Sequence, residues 1–433
     1  MSKSRYYNVV RHSETIKHQK LGLSANQLFF NTLVFLVLLS LPTLFAQTDA
    51  AFIGPIQNPT LFPVEKAWTH KLSAAPATFP GHDNDRVYIS LDDSTHAINL
   101  SDGKLLWSLP WPSSHQPVSD GANVFLATTR ALLAISTSSG STTWKLEFSS
   151  DISAPPLQRG GWVIVATANN ELFALRSSDG RIVWRQSTGA TVTVQPTLAG
   201  TSLYIPTSNA TLLALDIQTG EELWTSQLAG NPQKPLALDS IFVGADDNFF
   251  YRLSLSSGRV EWRWRTGGDI VGQPAVDEEN VYFVSLDNML WALDRQSGVQ
   301  QWRRPLNLRP RASPLIFEEY VFVTGVTTIL RSYHNTTGQG ANRMRLDGEL
   351  AAPPMLPTSS ENHSVKMAIL LTDGTLLGFH AAKGPMMFLF EFPPDPFLPR
   401  PELIAVDELY GLAPFERINP VPVSSDIFPF DPI

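Results

Sequence analysis

A glycine that ends a short polar turn recurs at Gly103, Gly140, Gly180, Gly220, Gly258, Gly298, Gly338 and Gly384, in steps of 37 to 46 residues. Four residues after the first six glycines stand Trp107, Trp144, Trp184, Trp224, Trp262 and Trp302; the last two units have Asn342 and Phe388 instead. Six residues before each glycine lie Ala97, Ala134, Ala174, Ala214, Arg252, Ala292, Ser332 and Gly378, all small except Arg252. A period of this length means stacked structural repeats, each covering an apolar face of its neighbour.

A second ladder keeps the same period, with Pro76, Pro117, Pro156, Pro196, Pro235, Pro274, Pro314 and Pro354 each followed by a short apolar stretch. Proline is tolerated at the first residue of a strand, where its missing N–H leaves no ladder bond unmade. Within a unit, as from Val281 to Leu306, aromatic and β-branched residues alternate with polar ones between Asp-Asn and Ser-Gly turns. That is hairpin patterning, and no unit carries a run of helical spacing. Four short strands per 40 or so residues is the period of a β-propeller blade. The expected fold is therefore all-β, an eight-bladed propeller of four-stranded antiparallel blades covering residues 64–392.

The spacing of small residue, glycine and tryptophan places an indole on each outer strand, over a gap left by a small residue on a neighbouring strand or blade. Trp68 precedes Trp107 by 39 residues and has no strands of its own before it. It is expected to lie on an orphan outer strand that completes the last blade and closes the ring.

These residues resemble the tryptophan-docking repeat of the pyrroloquinoline-quinone propeller family, close to A-x-D-x-x-T-G-x-x-x-W. The stretch from Ala214 to Trp224 matches it fully; ALDRQSGVQQW and ALRSSDGRIVW match closely. The resemblance implies the propeller fold. It leaves activity open, since the family holds both quinone-dependent dehydrogenases and non-enzymatic scaffolds.

The ends of the chain differ from the repeats. Lys3, Arg5, Arg11, Lys17 and Lys20 stand against one acid, Glu14, before an apolar run from Leu28 to Ala46. Residues 1–46 therefore read as a signal peptide or, alternatively, an uncleaved anchor, with 47–63 as a linker. Either reading exports the body. Removing this +4 leader from a chain of −8 leaves −12, which argues against nucleic-acid partners. Arg303, Arg304, Arg309 and Arg311 read as solvated loop charges. Residues 393–433 hold ten prolines in 41 residues and read as an extended or disordered tail whose scattered aromatics offer anchors to the propeller or to a partner.

Chemistry is sparse. The chain has no cysteine, and no common hydrolase, nucleotide or metal motif occurs. His82, Asp83 and Asp85 form the nearest polar cluster and read as a turn. His334 and His380 occupy equivalent positions of two units. Asn99, Asn209, Asn335 and Asn362 fit the glycosylation sequon. Quinone-dependent members of the resembled family bind their cofactor with a calcium ion, a catalytic aspartate and often a disulfide between adjacent cysteines. No residue here maps onto that set.

The resemblance extends to the exported propeller lipoprotein of the bacterial outer-membrane barrel-assembly machinery, whose lipidated cysteine this chain lacks. The expected function is thus an exported, non-enzymatic scaffold with no catalytic, cofactor or metal residues. Its partners would be envelope or exported proteins, with membrane contact only through the N-terminal segment or a partner, and the propeller would be monomeric. The alternatives are a quinone-dependent dehydrogenase-like protein and a membrane-anchored ligand-sensing ectodomain.

Overall fold

The computed structural model describes residues 64–356 and 365–381. The leader, the linker, the proline-rich tail, Gly384, Phe388 and Asn362 lie outside them. The described residues form 31 strands and no helix, folded as an eight-bladed propeller. Seven blades are complete four-stranded antiparallel sheets, spanning 81–109, 118–147, 157–187, 197–227, 236–265, 270–305 and 315–345. In each, strand order in space follows the sequence, because every connection within a blade is a short hairpin turn.

The second and third strands carry the core. Trp162–Thr167 and Ser202–Thr207 are buried along almost their whole length, since neighbouring blades cover both faces. Outer strands such as Glu222–Gln227 alternate between exposed and half-buried residues, as expected where only one face is covered. The first strands of neighbouring blades touch one another and form the inner ring.

Five of the ladder prolines sit one residue before an inner strand, those beginning at Val118, Leu157, Thr197, Leu236 and Leu315. Pro274 departs from the expectation. It lies within Ile270–Val276, and the pairing there skips from Val271 to Ala275, because proline has no N–H to give the ladder. Gln116, Gln195 and Gln273, each just before a ladder proline, donate from Nε2 to the carbonyls of Pro80, Pro156 and Pro235 in the preceding blade.

The eighth blade is built from both ends of the propeller. Its sheet order places Val64–Lys71 against Thr375–Ala381, which pairs in turn with Val365–Leu370. The innermost strand is reduced to Met355, which exchanges two 2.9 Å backbone hydrogen bonds with Ala368. Trp68 thus stands on the outermost strand of the last blade.

Candidate functional site

The repeat motif forms a seam between consecutive blades. In the fourth blade, Trp224 pairs across the sheet with Ala214, which pairs with Tyr204 on the second strand. Because Ala214 has only a methyl group, the indole leans over it to within 5.8 Å of the Tyr204 ring. Tyr88–Trp107, Phe125–Trp144 and Tyr282–Trp302 repeat this contact across Ala97, Ala134 and Ala292. Ala174 similarly separates Trp184 from Ile164. A register shift follows each of these alanines, and such a bulge increases the local twist that tilts the indole. The small residue therefore belongs to the tryptophan's own blade. The second-strand aromatic was not anticipated, although it recurs nine or ten residues before the small position.

The glycine belongs to the next blade. A β-carbon on Gly258 would lie 2.4 Å from Cε3 of Trp224, and equivalent overlaps join Trp107 to Gly140, Trp144 to Gly180, Trp184 to Gly220, Trp262 to Gly298 and Trp302 to Gly338. Each indole also donates from Nε1 to a carbonyl in the same turn, as Trp224 does to Leu255 at 2.9 Å and Trp184 to Ile217 at 2.7 Å. Gly220 has φ +77°, a conformation glycine adopts without strain, and Asp216 caps its turn by accepting from the amides of Gln218 and Thr219. Trp68 is held on both sides: by Gly378 of its own blade and Gly103 of the first, with Nε1 on the Leu100 carbonyl at 3.0 Å.

Arg252 is the exception in the small-residue column. Its Nε donates to Ser240 Oγ of its own blade at 2.9 Å, and its end crosses to the sixth blade, donating from one terminal nitrogen to the Gln296 carbonyl at 2.6 Å and from the other to Gln296 Oε1 at 2.9 Å. Glu261 pairs with it at 3.1 Å. Trp262 still covers Gly298 and donates to the same Gln296 carbonyl at 3.1 Å. This seam therefore has two fasteners.

The other polar residues singled out from the sequence fall into repeat turns. Asp83 accepts from the amides of Asp85 and Arg86 and from the Tyr88 hydroxyl at 2.6 Å. Asp277 repeats this with Glu279, Asn280 and Tyr282. Burial, then the bond to its aspartate, raises each tyrosine above its ordinary range. His82 is pushed down by burial. His380 faces Glu65 on the closing strand at 3.7 Å, whereas His334 packs 5.1 Å from the Tyr320 ring. Asn99, Asn209 and Asn335 sit at hairpin turns. Among the described residues, no group of three His, Asp or Glu side chains is placed to hold a metal ion.

The structure brings arginines together on the outer strands of blades five to seven, a grouping the sequence reading did not make. Arg263, Arg265, Arg303, Arg343 and Arg345 are exposed there. Arg303 and Arg304 are not loop residues: they lie on the strand Gln300–Pro305, and Arg304 donates to the carbonyls of Thr337 and Gly338 in the next blade. Two open grooves lie beside this row. One, of about 670 Å³, is lined by Arg265, Gly267, Asp287, Met289, Trp291 and Arg303 between blades five and six. The other, of about 420 Å³, is lined by Gln227, Ala229, Tyr251, Val260 and Arg263 between blades four and five. Arg303 lies over the Trp291 ring at 5.6 Å and Arg263 over Phe249 at 4.7 Å. Trp264 stands edge-on to Trp291, 5.9 Å away, and its Nε1 is buried without an acceptor among the described residues.

This architecture defines a closed propeller of tryptophan-docking repeats. The family described as outer membrane protein assembly factor BamB matches residues 91–238 and 235–347, more than half of the chain, and the protein belongs to that family. No curated protein matches the sequence. Among solved structures, BamB from Moraxella catarrhalis is similar over 73% of this chain and 99% of its own, with 18% identity and a TM-score of 0.61. Quinohemoprotein alcohol dehydrogenase from Comamonas testosteroni is similar over 75% of this chain and 78% of its own, with 13% identity and a TM-score of 0.60. Sqt1 from Saccharomyces cerevisiae covers 73% of this chain and 98% of its own, at 10% identity and a TM-score of 0.62. At these identities the likeness establishes the fold and nothing further.

Proposed function

We propose that this protein is an exported, non-enzymatic propeller scaffold that binds other envelope proteins during outer-membrane protein assembly. Membership in the assembly-factor family carries this reading. The residues present also do not fit the quinone-binding alternative. Without cysteine the adjacent-cysteine disulfide cannot form, and among the described residues no three acids or histidines converge on a cation position.

The basic, then apolar, N-terminal segment supports export, as a cleaved signal or as an anchor. Sequencing the N-terminus of the mature protein distinguishes the two, with cleavage near Ala46 expected. Loss of the protein should lower the amount of folded barrel proteins in the outer membrane. The purified protein mixed with pyrroloquinoline quinone and calcium should neither bind the quinone stoichiometrically nor oxidise alcohols or sugars. Stoichiometric binding with turnover would overturn the scaffold reading.

A further inference from the structure

From the paired grooves beside blade five, we infer a binding surface for an extended, acidic and aromatic segment of a partner protein. The inference rests on the scaffold reading and names the chemistry of what the scaffold would take.

The two grooves are one site repeated. Tyr251 and Trp291 hold the same place on the third strands of consecutive blades, and each faces an arginine across the sheet: Tyr251 opposite Arg263, Trp291 opposite Arg303. The residues that close each groove, Gln227–Ala229 and Arg265–Gly267, are likewise equivalent. A ligand that fits one groove therefore meets a related groove one blade further on. Two open, consecutive grooves suit an extended chain better than an enclosed small molecule.

The charge of the surface sets the character of that chain. Arg263, Arg265 and Arg303 are exposed and have no ion pair among the described residues. Two of these guanidinium groups lie over the Phe249 and Trp291 rings, and none of their N–H groups is taken by a carboxylate among the described residues. Asp287, the acid in the larger groove, is already engaged: it accepts from the Gly267 amide at 3.0 Å and from the Ser285 hydroxyl, which in turn accepts from Trp291 Nε1 at 2.9 Å. It braces the ring and does not pair with the arginines.

Separated arginines with aromatic rings between them match spaced carboxylates flanked by apolar side chains. A nucleic acid needs a continuous basic track, and the chain as a whole carries −8. The seam between blades two and three lacks this character, because the equivalent Arg185 is already paired with Glu171.

The test uses the full chain and a fluorescein-labelled peptide of alternating Asp and Phe, read by fluorescence anisotropy. The parent should bind it, more weakly as salt rises, while the Asn-for-Asp peptide should not bind. R263E/R303E should weaken binding by about tenfold or more, and the milder R303Q should weaken it in part. R345E, on the same row but outside both grooves, should change it by less than about twofold. Equal losses in R345E, or an unchanged affinity in R263E/R303E whose far-ultraviolet spectrum matches the parent, would overturn the assignment. So would equal competition by polyuridylate.

Residues 393–433 of this chain themselves carry seven acids and two arginines. If neutralising those seven acids in the full chain raises probe affinity strongly, the grooves belong to the chain's own tail and not to a partner. Failure of peptide binding alone, with barrel assembly still impaired on loss of the protein, removes the grooves and leaves the scaffold reading in place.

Discussion

Trp224→Ala combined with Gly258→Ala tests the packing of the blade seams directly. Complete burial of a tryptophan makes its truncation cost about 3–5 kcal/mol. Trp224 is half-buried, so about 3 kcal/mol is expected, of which the hydrogen bond to the Leu255 carbonyl accounts for about 1. Gly258→Ala acts from the other side of the seam. Its φ of +65° strains any other residue by about 1–2 kcal/mol, and its new methyl would stand 2.4 Å from the indole, an overlap costing about 1–3 more.

In the Trp224→Ala background the overlap has no partner, so only the backbone strain remains. The double variant should therefore be more stable than the sum of the single losses predicts, by about 1 kcal/mol or more. Urea unfolding followed by far-ultraviolet circular dichroism measures all four corners, with midpoints compared at constant slope. Strict additivity would mean that indole and glycine do not meet, and the account of the seams would fall.

Trp262→Ala should cost about 1 kcal/mol less than Trp224→Ala in the same assay, because Arg252 continues to hold Gln296; equal losses would refute the two-fastener seam. Trp68→Ala should destabilise as much as Trp224→Ala and expose the N-terminal strand to limited proteolysis, whereas resistance equal to that of the parent would show that Val64–Lys71 does not close the ring. Asp373 is held down to about 2 by the hydrogen bond from Lys71 and then by those from the Thr375 amide and hydroxyl. A folded-state value below the ordinary 3.8 adds stability that is complete above about pH 4 and lost as pH falls toward 2, by less than about 1 kcal/mol since the pair is exposed. Asp373→Asn should flatten that acid limb, and an unchanged limb would refute the contribution. Tyr88→Phe should cost about 1 kcal/mol through the lost bond to Asp83, checked by its shift in the urea midpoint.

The period of Gly, Trp and Ala was enough to read the blade number, the strand count and the role of Trp68, because each residue marks a backbone or packing demand that recurs identically. What it left out depends on the third dimension. The alanines were expected to leave a gap on a neighbouring strand or blade without a choice between them; Ala214 takes the neighbouring strand, facing Trp224 within one sheet, and Gly258 receives the indole from the next blade. Spacing along one chain cannot separate these two neighbours, since both lie a fixed number of residues away. Arg252 was flagged as an anomaly, but its partner Gln296 lies 44 residues on, in a turn that only the stacking of blades brings near. The grooves were less legible still. Arg263 and Arg303 are ordinary surface residues until the sheet sets each opposite an aromatic ring and blade stacking places their grooves side by side.

Closure by Val64–Lys71 has a consequence for the order in which the molecule can be made. The first propeller strand to emerge is the last to find its partner, since Thr375 lies 304 positions after Lys71. At a synthesis rate of about 5–20 residues per second, some 15–60 s separate the two, during which the strand has an unpaired edge. Over the same interval Trp68 has only Gly103 and the Leu100 carbonyl of the first blade to meet, because Gly378 has yet to be made. Chain entropy hardly resists the final step, since each doubling of a loop adds only about 0.6 kcal/mol. The hazard is one of timing: until Thr375–Ala381 emerges, the growing protein is an open arc with a reactive strand at one end, and a nascent neighbour at the same stage offers that strand another edge to join.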